Sequence, residues 1–399
     1  MQNERPLIFA AACMIFFFLL CDGIVGFFVP IAMQNAGISD IWRGWLIGAS
    51  SIAGILFDAI LLRIFRRATF RRLFFYMMIL ALLFPFLIWK SSSIILFLIG
   101  MIVWGVYYDL YNCGTLDFVG RVSKKDTHAS NYGIIASAVA LAYMLAPLVA
   151  SLTVGGLKSG APFFVALSSL ACAMALYALL RRKTNFLTTI LLPTSIKKQK
   201  SWFEYLLLIR LMFPVLLIST MLNSIESVYW TVAPLITTQI GTSFEFGGVL
   251  MFFHQIPSVI FGWYIGKILH GHSKKRFALL SLFVGSLFLA LFFLVTNPVA
   301  LLSIGFLSSF CISMTWPAVS GTYADFVSET PTHEIEIETM QDGFTNVGYV
   351  VGPIAAGFSM HYFGVTRTFG VVGLVGMSLV IFLWLIMPQH IRFNQTKLR

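Results

Sequence analysis

The sequence predicts an all-α integral membrane protein: twelve transmembrane helices arranged as two pseudo-symmetric six-helix bundles. Two observations carry that prediction. The composition is 58% hydrophobic and 11% charged, with a mean hydropathy of +0.87, far outside the range of a soluble domain. The second half of the 399 residues also repeats the first. Asp22 precedes Pro30 by the same spacing that separates Glu226 from Pro234, an offset of 204 between the pairs. Gly54 to Asp58 aligns with Gly262 to Gly266, and Asp117-Phe118-Val119 with Asp325-Phe326-Val327, at offset 208. Ala142 to Pro147 aligns with Gly348 to Pro353 at offset 206. Offsets that drift by a few residues are what a tandem duplication with small loop changes leaves.

Each element is an apolar run long enough to cross a hydrocarbon core of about 30 Å. The first, 7–31, follows Glu4-Arg5 and is too long, with no small-residue cleavage site after it, to be a removed leader. The second, 42–63, ends in a basic run, and the third, 73–90, lies between Arg72 and Lys90. The fourth, 94–120, is rich in aromatics and closes on Arg121; the fifth spans 130–153; the sixth, 162–180, stops at Arg181-Arg182-Lys183. The second set spans 205–236, 246–269, 278–296, 299–326, 340–361 and 368–388. Runs beyond the minimal length imply tilt or extension past the bilayer. Gly and Pro inside the runs are tolerated because packed neighbours re-satisfy the freed backbone groups. A barrel is excluded, since the runs are continuous rather than alternating.

The polar connector divides the chain into an N-terminal bundle, 1–182, a basic linker, 183–203, and a C-terminal bundle with its tail, 204–399. Part of the linker (Phe186, Leu187, Ile190, Leu191, Leu192) is amphipathic enough to lie along the interface. Basic residues crowd one side, in segments 63–72, 121–125, 181–200, 274–276 and 392–399. The other side carries Arg43, Lys90, Lys158 and Arg367. That asymmetry places both termini in the cytoplasm of a cell inner (plasma) membrane. The net charge of +11 therefore marks topology, with anionic lipid contact as a secondary effect, and implies no nucleic-acid partner. Segment 327–338, with Glu329, Glu334, Glu336 and Glu338, reads as a solvated acidic loop, or as an ion-pairing partner of the basic loops in the other half. Cys13, Cys21, Cys113, Cys172 and Cys311 all fall within spans, so no disulfide framework or paired-cysteine metal site is expected. No phosphate-binding loop, nucleophile elbow or His-Glu-x-x-His motif occurs. An enzyme, a catalytic residue and a cofactor are not expected.

Twelve spans in two similar halves joined by a central linker resemble the major facilitator superfamily. In the loop after its second span that family carries a Gly-x-x-x-Asp motif followed by basic residues. Gly54, Asp58 and the run Arg63, Arg66, Arg67, Arg71 and Arg72 match it, with Ala59 and Leu61 standing where the motif has a basic residue and a second glycine. Gly348-x3-Gly352-Pro353-x2-Ala356-Gly357 is similar to the family's antiporter motif, although it stands in span eleven rather than span five. The resemblance implies an inner gate that includes Gly54, Asp58 and the end of span four, where Asp117 and Arg121 lie one helical turn apart. Without any family, Gly348, Gly352 and Ala356 lie four apart on one helix face, and such small residues let a neighbouring backbone approach closely.

An ionisable residue inside the hydrocarbon is a functional candidate by default. Asp22 lies slightly beyond the midplane of an otherwise apolar first span, and nothing on that helix explains it. Glu226, its repeat mate, lies beside a stripe of Thr220, Asn223, Ser224, Ser227 and Thr231, whose helical spacing marks a cavity wall or a buried helix contact. Asp109 occupies the middle of span four with Asn112 on its face and Tyr108 beside it. His254, near the middle of span eight, reads as a hydrogen-bonded packing residue or a proton carrier. The structural alternative for the carboxylates is an internal pair that fixes helix register, but the spans offer few basic partners, with Arg210 and Lys267 near inner ends. Asp22, Glu226 and Asp109 are thus the proton-coupling candidates. Glu226, Asn223, Ser227, Trp230, Tyr108, Asn112 and His254 are the substrate-contact candidates.

Two similar membrane halves imply a substrate site between them. The expectation is a monomeric, proton-coupled secondary transporter of a small organic solute. Negative and aromatic residues favour export of a cationic or amphipathic compound. Uptake of a neutral polar solute such as a sugar, and a transport-inactive receptor or assembly factor on the same fold, are the alternatives.

Overall fold

The computed structural model describes residues 4–64, 69–123, 127–153, 160–184, 202–240, 245–268, 274–330 and 333–386; within 58–64, 202–205, 237–240 and 261–268, and at 129 and 335, the backbone alone is described. In chain order the helices are α1 (Glu4–Asn35), α2 (Asp40–Ile64), α3 (Phe70–Lys90), α4 (Ile94–Val122), α5 (His128–Thr153), α6 (Ala161–Lys183), α7 (Trp202–Ile240), α8 (Glu245–Ile268), α9 (Lys274–Ala290), α10 (Pro298–Glu329), α11 (Glu334–Phe363) and α12 (Val365–Ile386). Among the described residues, nine helices are long and apolar enough to cross a membrane, and strands are absent. The twelve predicted runs each coincide with one of these helices.

The ends differ where polar residues can still be helical. The acidic segment is mostly not a loop: Glu329 ends α10, and Glu334 and Glu336 form the first turn of α11. Carboxylates there face the positive end of the helix dipole, which favours an early start. Partial burial, together with Glu334 and Asp342 nearby, raises the Glu338 carboxyl above its ordinary range. The chain reverses between α1 and α2 at Gly37 (φ +75°), and between α11 and α12 at Gly364 (φ +88°). Positive φ there requires glycine.

Within the N-terminal set, α1 packs on α5 and α6, and α4 packs on α2 and α3; within the C-terminal set, α7 packs on α11, and α10 on α8 and α9. The two sets meet along α2–α11 and α5–α8, with α1 touching α7 between them. Both seams lie at the end of the bundle away from the chain's start. A β-carbon on Gly357 of α11 would sit 2.6 Å from the Asp40 carbonyl of α2, and one on Gly48 would sit 3.1 Å from the Val350 carbonyl. A β-carbon on Gly248 of α8 would sit 2.7 Å from the Pro147 carbonyl of α5. These are backbone-to-backbone contacts that leave no room for a side chain. At the opposite end, Leu116, Val119, Gly120, His128 and Tyr132 line an open cleft.

Gly348, Gly352, Pro353 and Gly357 serve two different interfaces. Gly348 and Gly352 face α7 in their own half, where β-carbons would sit 2.6 Å from the Asn223 β-carbon and from the Ser224 carbonyl. Pro353 and Gly357, turned to another side of the same helix, face α2 of the other half. The repeated aspartates also do matching work. Asp117 accepts the Phe70 backbone N–H (2.7 Å) and the Arg121 Nε (2.8 Å), pinning the start of α3 to α4. Its mate Asp325 accepts from Lys274 Nζ (2.9 Å), pinning the start of α9 to α10.

Candidate functional site

Asp22 is buried in the middle of α1, and its carboxylate is caged by aromatic donors from two other helices. Trp104 Nε1 (2.8 Å) and the Tyr107 hydroxyl (2.5 Å) of α4 donate to Oδ1, and the Tyr143 hydroxyl of α5 donates to Oδ2 (3.0 Å). Glycines admit this arrangement. A β-carbon on Gly26, one turn beyond Asp22, would meet the Trp104 ring at 3.4 Å, and one on Gly23 would lie 2.6 Å from the Ala146 β-carbon. The second approach brings Tyr143 alongside α1. Phe84 stacks on Trp104 (5.5 Å, 21°) and meets Tyr107 edge-on (5.7 Å), fixing both donors. Asp22 stands alone on its own helix, but α4 and α5 supply hydrogen bonds that a carboxylate in this setting would otherwise lack.

Glu226 on α7 has a cage of its own. Trp230 Nε1 (3.0 Å) and Gln255 Nε2 (2.7 Å) donate to Oε1, and His254 Nε2 lies 2.7 Å from Oε2. His254 Nδ1 lies 2.7 Å from Ser309 Oγ of α10, and the Tyr229 ring stacks on the imidazole at 3.7 Å and 10°. The two cages touch across the interface: Tyr143, the donor to Asp22, meets Trp230, the donor to Glu226, edge-on at 5.6 Å. Trp230 also reaches Gly23, the neighbour of Asp22. Matching repeat positions thus face each other through one pair of rings.

Other candidates lie elsewhere. Asn223 and Ser227 are buried in the α7–α11 seam, where Asn223 donates to the Ser219 carbonyl (2.8 Å) and Ser227 to the Ser224 carbonyl (2.9 Å). The polar stripe is a helix contact, and it is separate from the Glu226 carboxylate. Asp109 packs against α2, its Oδ2 2.9 Å from where a β-carbon on Gly54 would be, and Asn112 is exposed. Tyr108 bonds Tyr143 and meets Tyr111 (5.6 Å), which places it at the edge of the Asp22 cage. Among the interior gate candidates, Gly54 joins the α2–α4 contact, and Asp117 with Arg121 braces α3 within its own half. The side chains of Asp58 and Arg63, residues 65–68 of the basic loop and most of the linker lie outside the described residues. Among the described residues, no group of three His, Cys, Asp or Glu side chains is placed to hold a metal.

Tyr143, Ser309 and Tyr349 were not singled out from the sequence. For Tyr143 and Tyr349 a signal was present, because they occupy matching positions in the aligned segments at offset 206. Tyr349 lies within electrostatic reach of Glu226, much as Tyr143 does of Asp22. Ser309 carries no such mark.

The sequence profile of the Major Facilitator Superfamily matches residues 11–335 and again 212–398. No curated protein matches the chain. Among solved structures, a bacterial homologue of the human lysosomal transporter Spinster, in an inward-facing and occupied conformation, superposes with a TM-score of 0.73 at 12% identity, covering 96% of this chain and 97% of that one. The nucleoside transporter NupG gives 0.70 at 12% identity (96% and 99% covered), and the peptide transporter POT in complex with sulfate gives 0.69 at 16% (95% and 94% covered). At these identities the likeness is one of fold, whereas the profile match spans most of the sequence. With its twelve helices and repeated halves, the chain is a multi-pass membrane protein with a transporter fold and belongs to the major facilitator superfamily.

Proposed function

We propose that this protein is a proton-coupled secondary transporter that exports a cationic or amphipathic organic solute by alternating access. The reading rests on the two carboxylates that face each other across the interface, each dressed by aromatic donors. Carboxylates in the bundle interior attract a cation, and the rings of Tyr143, Trp230 and Tyr108 add cation–π surface. In this reading the closed α2–α11 and α5–α8 seams seal the outer side, and the open cleft faces the cytoplasm where both termini lie. Likeness to the inward-facing Spinster homologue supports that assignment. Asp22 carries the proton and Glu226 contacts the substrate. Asp109 modulates the first from the α2–α4 contact.

The indole N–H groups and carboxylates also suit a neutral polar solute, as the fold likeness to a nucleoside transporter suggests. The test is flux in proteoliposomes under an imposed pH gradient, screened over organic cations, sugars, nucleosides and amino acids. Gradient-driven movement of cations supports the reading. Accumulation that ignores the pH gradient refutes proton coupling, and absence of flux for every class points to a transport-inactive receptor.

A further inference from the structure

We infer that His254 is a proton-exchange residue: its imidazolium and the cationic substrate compete for one carboxylate, Glu226, so that substrate binding expels a proton. This rests on the cation-transport reading above and adds a proton site in the C-terminal half. The imidazole is buried, with Nε2 2.7 Å from Glu226 Oε2 and Nδ1 2.7 Å from Ser309 Oγ. A serine hydroxyl both donates and accepts. In the neutral ring, Nε2–H donates to Glu226 and the Ser309 hydroxyl donates to Nδ1. In the charged ring, Nδ1–H donates to the same hydroxyl instead. Neither protonation state leaves a ring nitrogen unpartnered, which a histidine that only fills space does not require.

Two further contacts favour exchange. The face of Tyr229 lies against the imidazole at 3.7 Å, where a cation gains from the ring's electron density. On Glu226, Oε1 is occupied by Trp230 and Gln255, so Oε2 is the oxygen that His254 and an incoming cation would contend for. The titratable groups around the pair are Tyr229 of α7, Tyr349 of α11 and, beyond Trp230, Asp22 with Tyr143 and Tyr108. When a cation docks on Oε2, the Nε2–H···Oε2 bond breaks and the imidazolium loses its counter-charge. Its proton is then released to water. One positive charge enters and one departs, so the exchange itself does not strip the carboxylate of its counter-charge, a loss that is strongly disfavoured.

The experiment is calorimetric titration of the full-length protein in detergent with tetraphenylphosphonium, a permanent cation with no proton of its own. Titrations at several pH values between about 5.5 and 8.5 are run in two buffers of different ionisation enthalpy to count released protons. The wild type should release up to about one proton per bound cation, and acidification should weaken binding. His254→Gln, whose amide reaches the place of Nε2 and keeps a donor to Glu226, should release none and lose that acid dependence. Ser309→Ala, a smaller change, should move the acid limb of the binding curve down by about one pH unit. Proton release that persists in His254→Gln, or an acid limb that stays put in Ser309→Ala, overturns the inference. Binding with no proton release overturns it too, yet leaves the cation reading standing. No binding at any pH between about 5.5 and 8.5 overturns both.

Discussion

Replacing Gly357 by alanine tests the α2–α11 seam with one methyl group. The new β-carbon would stand 2.6 Å from the Asp40 carbonyl oxygen, 3.0 Å from the Gly44 Cα and 3.2 Å from the Gly44 nitrogen. Ordinary contact begins near 3.4 Å, so the two backbones must part by about 0.8 Å. All three obstacles are main-chain atoms in helices, and none can swing aside as a side chain would. Overpacking of this kind costs about 1–3 kcal/mol. The cost falls on the conformation in which the seam is closed, so it shifts the balance toward the alternative by about 5–150-fold. The assay is a spin-label distance measurement between cysteines placed at Ser39 and Arg367, exposed positions on either side of the seam, with the five native cysteines replaced. The distance distribution should gain a longer component in Gly357→Ala, and transport should slow. A distribution and turnover indistinguishable from those of the parent would refute the reasoning that this seam is held by backbone contact.

Three further outcomes follow from the site and the resemblance. Asp22→Asn should abolish gradient-driven accumulation yet preserve binding, because an amide mimics the protonated acid; a mutant that still concentrates substrate removes Asp22 as the coupling site. Glu226→Gln should weaken binding by about 1–3 kcal/mol, read by calorimetry, since the amide mismatches one of three donors and loses the charge; unchanged affinity would place the substrate elsewhere. Asp58→Asn should slow cycling while leaving equilibrium affinity nearly intact, and normal turnover would count against an inner gate at that position.

Much of the architecture was legible because the bilayer is a demanding solvent. A span must be long, apolar and internally hydrogen-bonded, so each of the twelve helices announces itself as a run. The repeat was legible for the same reason that Asp117 and Asp325 do matching work: duplicated helices keep their contacts. It also pointed to Asp22 and Glu226 as a pair.

What one helix shares with another was not legible. Helical periodicity marks which side of a segment is polar, but not what that side meets. The stripe of Asn223, Ser224 and Ser227 reads equally as cavity lining or as a seam, and packing against α11 made it a seam. Asp22 reads as isolated because its donors, Trp104, Tyr107 and Tyr143, lie far away in sequence and reach it through helix approaches set by Gly23 and Gly26. His254 reads as a lone histidine until α7 and α10 bring Glu226 and Ser309 to its two nitrogens. The sequence by itself determined the number of helices, their twofold repetition and the two carboxylates, since solvation in lipid acts on each segment separately. Only the tertiary structure decided the partners of those carboxylates and the closed end of the bundle, because hydrogen bonds and close packing depend on distances between helices that no single helix encodes.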